Sequence, residues 1–242
     1  MRLTILTGHS RGLGAALAAQ LIARGDRVLG IARHALPLPA GALEQWPHDL
    51  ADPLPLAVRL QTWLEAQDPS AIEQATLINN AGVVSTPQPL READPAALSA
   101  ALRVGLEATL LLCQAFLAGT RGWTLPRRVL NVSSGLGRRA MASSAAYCAA
   151  KAGMDHLTRC LALEEALVPH GARVASVAPG VFDTDMQRQL RSADAAAFPD
   201  RDVFVALHRD GQLLAPDAAA QRLLAFLERP DFGAEPVADV RH

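Results

Sequence analysis

The chain has 242 residues, half of them hydrophobic, which is enough to bury the core of one large α/β domain. Its formal net charge of -1 at pH 7 excludes a general electrostatic attraction to nucleic acid or to an anionic membrane. Cys113, Cys148 and Cys160 are odd in number and lack paired metal-ligand spacing, so a disulfide framework or a metal site is not expected and a reducing compartment is.

The amino terminus shows no apolar run ending in a small-residue cleavage site, and no stretch is expected to reach transmembrane length, so a soluble cytoplasmic protein is expected. In chain order, a strand over 3–6 runs through Thr7-Gly-His-Ser-Arg-Gly-Leu-Gly14 into a helix over about 12–24. A strand over 28–32 follows, then a third strand candidate before Asp49 and a helix over 54–66. Further on come a strand over 76–79, a helix over 95–117, a strand over 129–133, a helix over 144–167 and a strand over 173–177. Pro37 and Pro39 punctuate a loop. Between 181 and 216 the pattern turns irregular and polar, broken by Phe182, Met186, Phe198, Val203, Phe204 and Leu207. A stretch of that length is a candidate substrate lid. Alternation of short β-rich runs with longer Ala/Leu-rich helices predicts an α/β fold, a Rossmann-type doubly wound parallel sheet covered by helices on both faces, in one domain over 1–242. Ligands of such sheets bind beyond the carboxyl ends of the strands.

The glycine-rich turn at 7–14 sits between the first strand and the first helix, where small residues let the backbone approach a pyrophosphate held at the helix amino terminus. The second strand ends in Gly30-Ile-Ala-Arg33 without the acidic residue that would hold a free ribose 2′-hydroxyl. Arg11 and Arg33 are both placed to reach a 2′-phosphate, which favours NADP over NAD, although either can equally be an ordinary solvated charge.

All but one of the 23 Lys and Arg residues are arginine; the single lysine, Lys151, follows the single tyrosine, Tyr147, by four residues. That spacing puts both on one helix face, and a compact ammonium does there what a forked guanidinium cannot. The pair predicts a phenol used as an acid, with the cation lowering its pKa from the ordinary value of about 10.

Thr7-Gly8…Gly12…Gly14, Asn79-Asn-Ala-Gly82, Asn131-Val-Ser-Ser134, Tyr147…Lys151 and Pro179-Gly180 occur in that order, and with them the chain resembles the short-chain dehydrogenase/reductase family almost end to end. The resemblance implies seven parallel strands, no metal, Tyr147 as general acid, Lys151 as the residue that binds the nicotinamide ribose and lowers the phenol pKa, and Ser134 as the holder of the substrate carbonyl. It also implies an NADP(H) site built from Gly8, Ser10, Arg11, Gly12, Leu13, Gly14, Arg33, Asp49, Leu50, Asn80, Ala81, Gly82, Pro179, Gly180 and Thr184, with Tyr147 and Lys151 touching the cofactor. Asn79 and Asn80 can also simply tie strands together, and Asp49 can be a capping acid before the next helix.

The tail, with 178–187, Gly211-Gln-Leu-Leu214 and Asp231-Phe…Val237-Ala-Asp239, resembles the sepiapterin reductase branch, whose bacterial members include benzil reductases. This implies reduction of one carbonyl of a vicinal dicarbonyl, aromatic or pterin-linked, with Phe182, Met186 and Asp239 as substrate candidates; a terminal Asp is also commonly just solvated. A 3-oxoacyl-thioester, sugar or steroid reductase is the alternative within the family, and an NADPH-sensing binding protein the alternative outside enzymes. By resemblance, the long helices pair into homodimers or homotetramers.

One position departs from the family pattern: Arg103-Val-Gly-Leu106 carries Gly105 where an Asn usually helps hold a water behind the lysine. Glycine retains only its carbonyl for that task. Gly105→Asn is therefore expected to raise turnover or leave it unchanged in steady-state assays; a collapse of kcat would count against this placement.

Overall fold

The computed structural model describes residues 1–37 and 43–241, so Pro39 of the expected loop lies outside the described residues. Strands β1 (Arg2–Thr7), β2 (Arg27–Ala32), β3 (Glu44–Pro47), β4 (Gln74–Asn79), β5 (Arg127–Val132), β6 (Arg173–Ala178) and β7 (Val237–Asp239) form one parallel sheet in the order β3-β2-β1-β4-β5-β6-β7. The strands read as near-continuous buried runs because both faces are covered, as parallel sheets require. On one face Leu3, Ile5, Leu77 and Val129 pack under helices α2 (Pro53–Glu65), α4 (Ala108–Gly119) and α5 (Ala145–Glu165); on the other Leu6, Ile78, Leu130 and Val177 pack under α1 (Gly12–Ala23) and α8 (Pro216–Leu227). Neighbouring residues of one strand thus serve opposite cores, the period of two that a strand imposes.

The six strands located from sequence are all present. The seventh, expected by resemblance, is β7, and α8 is a further element outside the expected set. The helix expected over 95–117 is instead α3 (Pro95–Leu102), capped by Asp94 through Ala96 N and Ala97 N, a π turn over Arg103–Glu107, and α4. The lid segment, expected to be irregular, carries two helices, α6 (Asp185–Arg191) and α7 (Arg201–Arg209). Of its apolar interruptions, Met186, Phe198, Phe204 and Leu207 belong to a small separate core, in which Phe198 stacks on Phe204 at 5.6 Å and packs with Met141 and Leu190, whereas Phe182 packs on the α1–α8 side and Val203 is exposed. Leu214 N donates to Val181 O at 3.0 Å and Asp183 N to Leu214 O at 3.0 Å, which closes the base of the segment.

The expectation that no stretch reaches membrane-spanning length is corrected: Pro95–Gly119 covers 25 residues with a mean hydropathy of 1.6 in its most apolar window. Its apolarity has a local cause, since Leu112, Cys113, Ala115 and Phe116 are buried against the sheet in the same core as α2.

At the carboxyl half of β2, His9 lies fully buried across Gly30, where a β-carbon would stand 2.6 Å from the imidazole Cγ. The ring is held from its other side by Gln45 of β3 and has little room to withdraw. Gly30→Ala is expected to destabilise the protein by about 1–3 kcal/mol through overpacking, read as a lower midpoint in thermal or urea unfolding.

Candidate active site

The sheet order reverses between β1 and β4, and there a cavity of about 730 Å³ opens beyond the carboxyl ends of the strands. Its floor at one end is the turn after β1. Gly8 and Gly12 take positive φ of +69° and +52°, open to glycine without strain, and a β-carbon on Gly14 would fall 1.9 Å from Gly8 O. The backbone therefore folds tightly at the start of α1. Arg11 stands at the N-cap with extended backbone, and no side chain caps the helix, which leaves its first-turn N–H groups to serve an anion at the positive end of the helix dipole. This cradle fits the pyrophosphate of a dinucleotide.

Every cofactor candidate lines this cavity: Gly8, Ser10, Arg11, Gly12, Leu13 and Gly14 at the turn, Arg33, Asp49 and Leu50 beyond β2 and β3, Asn80, Ala81 and Gly82 after β4, and Pro179, Gly180 and Thr184 after β6. Arg11 is already engaged, its Nη1 2.9 Å from Asp185 Oδ2 on α6, and both side chains are exposed. It thereby joins the cradle to the lid. Asp49 Oδ1 accepts from Ala51 N at 3.0 Å, an Asx turn in the loop before α2; the N-cap of α2 is Asp52, without a side-chain cap bond, so Asp49 does not cap that helix. Asn80 donates from Nδ2 to Thr7 O, and Thr7 Oγ1 accepts from Asn80 N and Ala81 N, all at 3.0 Å. Asn79 is a tie alone: buried off the cavity, it donates to Asn131 Oδ1 of β5 at 2.9 Å.

Sequence reading missed a second tie at the turn. His9 Nε2 meets Gln45 Oε1 at 2.7 Å, and Gln45 also accepts from Leu36 N at 2.7 Å and donates to Leu36 O at 3.1 Å. The amide thus pins the segment after β2 that carries Arg33, a link that no local spacing between residues 9, 36 and 45 could announce.

The other end of the cavity belongs to α5, which presents Tyr147 and Lys151 on successive turns, with Ser134 facing them from the loop after β5. Lys151 is 3% exposed and donates from Nζ to Val132 O at 2.7 Å. Burial pulls its pKa from 10.5 down to about 8, against the opposing pull of Asp155. Burial also pushes the Tyr147 phenol from 10.0 up to about 12, with a hydrogen bond to Ser134 working the other way. The direction for the phenol is therefore set by burial, against the Ser134 hydrogen bond, and the Lys151 ammonium stands 5.8 Å from the ring centroid. Ser134 Oγ accepts from Leu136 N at 3.2 Å, and this serine also shares a hydrogen bond with Tyr147. Ser133 Oγ is buried without a partner among the described residues.

Of the substrate candidates, Phe182 and Met186 line the cavity and Asp239 does not. Its carboxylate is held by Arg241, with Nη2 at 2.6 Å and Nε at 2.9 Å. The wall there is Arg241 itself, so the terminal acid acts behind a cation. Gly105 sits in the π turn, and a β-carbon at that position would stand 3.0 Å from Ala150 Cβ, next to Lys151 in the chain. The tight approach of the two helices sets a packing cost against whatever an Asn side chain would contribute.

A turn that fits a dinucleotide pyrophosphate, with the buried Tyr147 and Lys151 on the same cavity, points to the class: an oxidoreductase of the doubly wound type. The chain belongs to the short chain dehydrogenase family, whose model matches residues 2–195. It is 33% identical over 239 residues to benzil reductase ((S)-benzoin forming) of Bacillus cereus, covering 96% of each chain. It is 32% identical over 246 residues to sepiapterin reductase of Meriones unguiculatus, covering 94% of this chain and 92% of that one. The crystal structure of a metagenomic short-chain oxidoreductase in complex with NADP superposes with a TM-score of 0.71 at 26% identity, covering 98% and 94% of the two chains.

A lysine whose pKa falls on folding opposes the folded state fully below about pH 8 and ceases to do so as the pH rises towards 10.5. Lys151→Met, which lacks this charge, is therefore expected to show its largest stability relative to the native protein at neutral pH, with the difference moving against the variant between pH 8 and 10.5. Urea midpoints of the two proteins at about pH 7 and about pH 10 measure it.

Proposed function

We propose that this oxidoreductase is an NADPH-dependent carbonyl reductase that reduces one carbonyl of a vicinal dicarbonyl, a benzil-like diketone or a pterin side chain, to the hydroxyketone. The observation that carries this reading is the convergence of Ser134, Tyr147 and Lys151 on the same cavity as the cradle at Gly8, Gly12 and Gly14. For the substrate end, Leu136, Met141, Phe182, Met186, Leu190 and Phe204 supply an apolar wall suited to an aromatic diketone, in line with the likeness to a benzil reductase and a sepiapterin reductase. For the cofactor, Arg33 at the adenosine end and the absence of an acid at the end of β2 favour a 2′-phosphate.

The residues would hold the dinucleotide with its phosphates on the first turn of α1 and its nicotinamide ribose at Tyr147 and Lys151. Bound there, the cofactor supplies the hydride that the carbonyl carbon accepts. Ser134 and Tyr147 hydrogen-bond the carbonyl oxygen where negative charge develops. Tyr147 releases its proton to that oxygen, and Lys151 stabilises the phenolate left behind, which otherwise resists forming in so buried a place. The lid helices α6 and α7 cover the substrate end and keep water out.

The reading includes a cytoplasmic homodimer or homotetramer, supported by free cysteines and by exposed Leu110 on α4 and Leu163 on α5. NADPH oxidation with benzil, sepiapterin and an acetoacetyl thioester, each repeated with NADH, tests it. Benzil or sepiapterin with NADPH is expected to be turned over fastest, and Tyr147→Phe to lose about 10²–10⁴-fold in kcat while still binding NADPH. Clear preference for the thioester overturns the substrate class, clear preference for NADH overturns the cofactor, and near-normal turnover by Tyr147→Phe overturns the mechanism.

A further inference from the structure

The loop that follows β5 is fastened to α5 by an ion pair that lies outside the wall of the 730 Å³ cavity. Arg138 donates from Nε to Asp155 Oδ2 at 3.1 Å and from Nη2 to the Ala238 carbonyl of β7 at 2.8 Å. Asp155, 1% exposed, accepts a second bond on Oδ1 from Ser176 Oγ of β6 at 2.6 Å. One side-chain pair therefore ties together the loop, the helix and the two last strands of the sheet. Between the partners the chain is pressed hard onto the helix: a β-carbon on Gly137 would stand 2.9 Å from Asp155 Oδ2 and 2.9 Å from Lys151 O.

This fastening bears on the reaction through what lies at either side of it. Ser134 belongs to the same short loop, its carbonyl accepting from Gly137 N at 2.9 Å and its hydroxyl from Leu136 N at 3.2 Å. Tyr147 and Lys151 lie two turns and one turn before Asp155 on one face of α5. The distance between the serine and the tyrosine, which belong to different elements, is thus governed by where Arg138 and Asp155 meet. We propose that Arg138 and Asp155 are positioning residues for carbonyl reduction: their ion pair holds the Ser134 loop in register with Tyr147 and Lys151, and its two charges act on the Lys151 ammonium from one side. The proposal rests on Tyr147 and Lys151 carrying the reaction.

The groups around Lys151 make the two charges separable. On its own helix stand Tyr147 and Asp155; from the loop comes Arg138; β5 contributes the neutral Val132 carbonyl, the loop after β4 the backbone of Gly82, and β6 the neutral Ser176 behind Asp155. From β7, Asp239 with Arg241 lies beyond the carbonyl that Arg138 bonds. Asp155 favours the ammonium against burial. Its removal makes the lysine lose its proton at lower pH, and removal of Arg138, which leaves the carboxylate uncompensated, makes it do so at higher pH.

The test is the pH profile of kcat for reduction by the full-length enzyme. Asp155→Asn is expected to move the alkaline limb down by about half to one pH unit and Arg138→Met to move it up by a similar amount, both with reduced kcat and with KM for NADPH within about twofold of the native value. Arg138→Lys, which keeps the charge, is expected to return the limb to its native place. A role confined to folding would weaken both variants alike, so limbs that stay put, or that move in the same direction, overturn the proposal. If Asp155→Asn does not fold, Arg138→Met against Arg138→Lys decides alone: identical limbs overturn the proposal. Native turnover by Tyr147→Phe would overturn the reading beneath it, whereas an inactive Tyr147→Phe with unmoved limbs overturns this proposal only.

Discussion

A lysine ammonium, almost wholly withdrawn from water at the end of β5, is the constraint around which the active site is arranged. Removing such a charge from solvent is strongly unfavourable unless other groups receive it. Here the receivers are three groups from two elements: the Val132 carbonyl at the end of β5, and from α5 itself the Asp155 carboxylate one helical turn on and the Tyr147 ring one turn back. The helix also lies close against the segment over Arg103–Glu107, and small residues at that contact allow it. A β-carbon on Gly153 would strike Leu106 at 2.8 Å, and one on Gly105 would meet Ala150 at 3.0 Å. The π turn over Arg103–Glu107 belongs to the same fit, since it re-aims the neighbouring helix where the two approach.

The cofactor half of the cavity depends on ties of a different kind. Across the reversal in strand order, Thr7 and Asn80 exchange side-chain and backbone bonds that fix the β1 and β4 loops to each other. One strand further, Asn79 bonds Asn131, which donates to Thr158 of α5 at 2.9 Å. Neutral amides and hydroxyls therefore run under the cavity from the turn after β1 to α5. Buried networks of this sort hold geometry well because each member left unpaired would be costly.

The substrate end is built on weaker foundations. α6 and α7 pack around Phe198 and Phe204, apart from the two cores that flank the sheet, and meet the rest through Met141, Val84 and Leu136, the Ser143 bond to Ala197 O and the exposed pair of Arg11 with Asp185. This third core has only four buried members among the described residues, and a surface pair contributes little to stability. Family membership and likeness to benzil and sepiapterin reductases agree with an apolar wall at this end, and the cradle at the other end changes little with the substrate.

Much of this was legible in the chain. Period and composition alone determined the alternating elements, because a strand buried on both faces must be an unbroken apolar run and a glycine-rich turn before a helix has few other uses. The single tyrosine and single lysine marked their own helix face through a spacing that is local. The tertiary structure decided whatever depends on residues far apart in sequence. It buried the Tyr147 phenol, which pushes its pKa up, since burial is a property of the packed interior and not of the neighbour four residues away. It put Arg241, not Asp239, on the cavity wall, broke one expected helix into three pieces, and joined Arg138 to Asp155 and His9 to Gln45. Hydrogen bonds and contacts across tens of residues leave no period in a sequence, so only the folded chain can show which side chains meet.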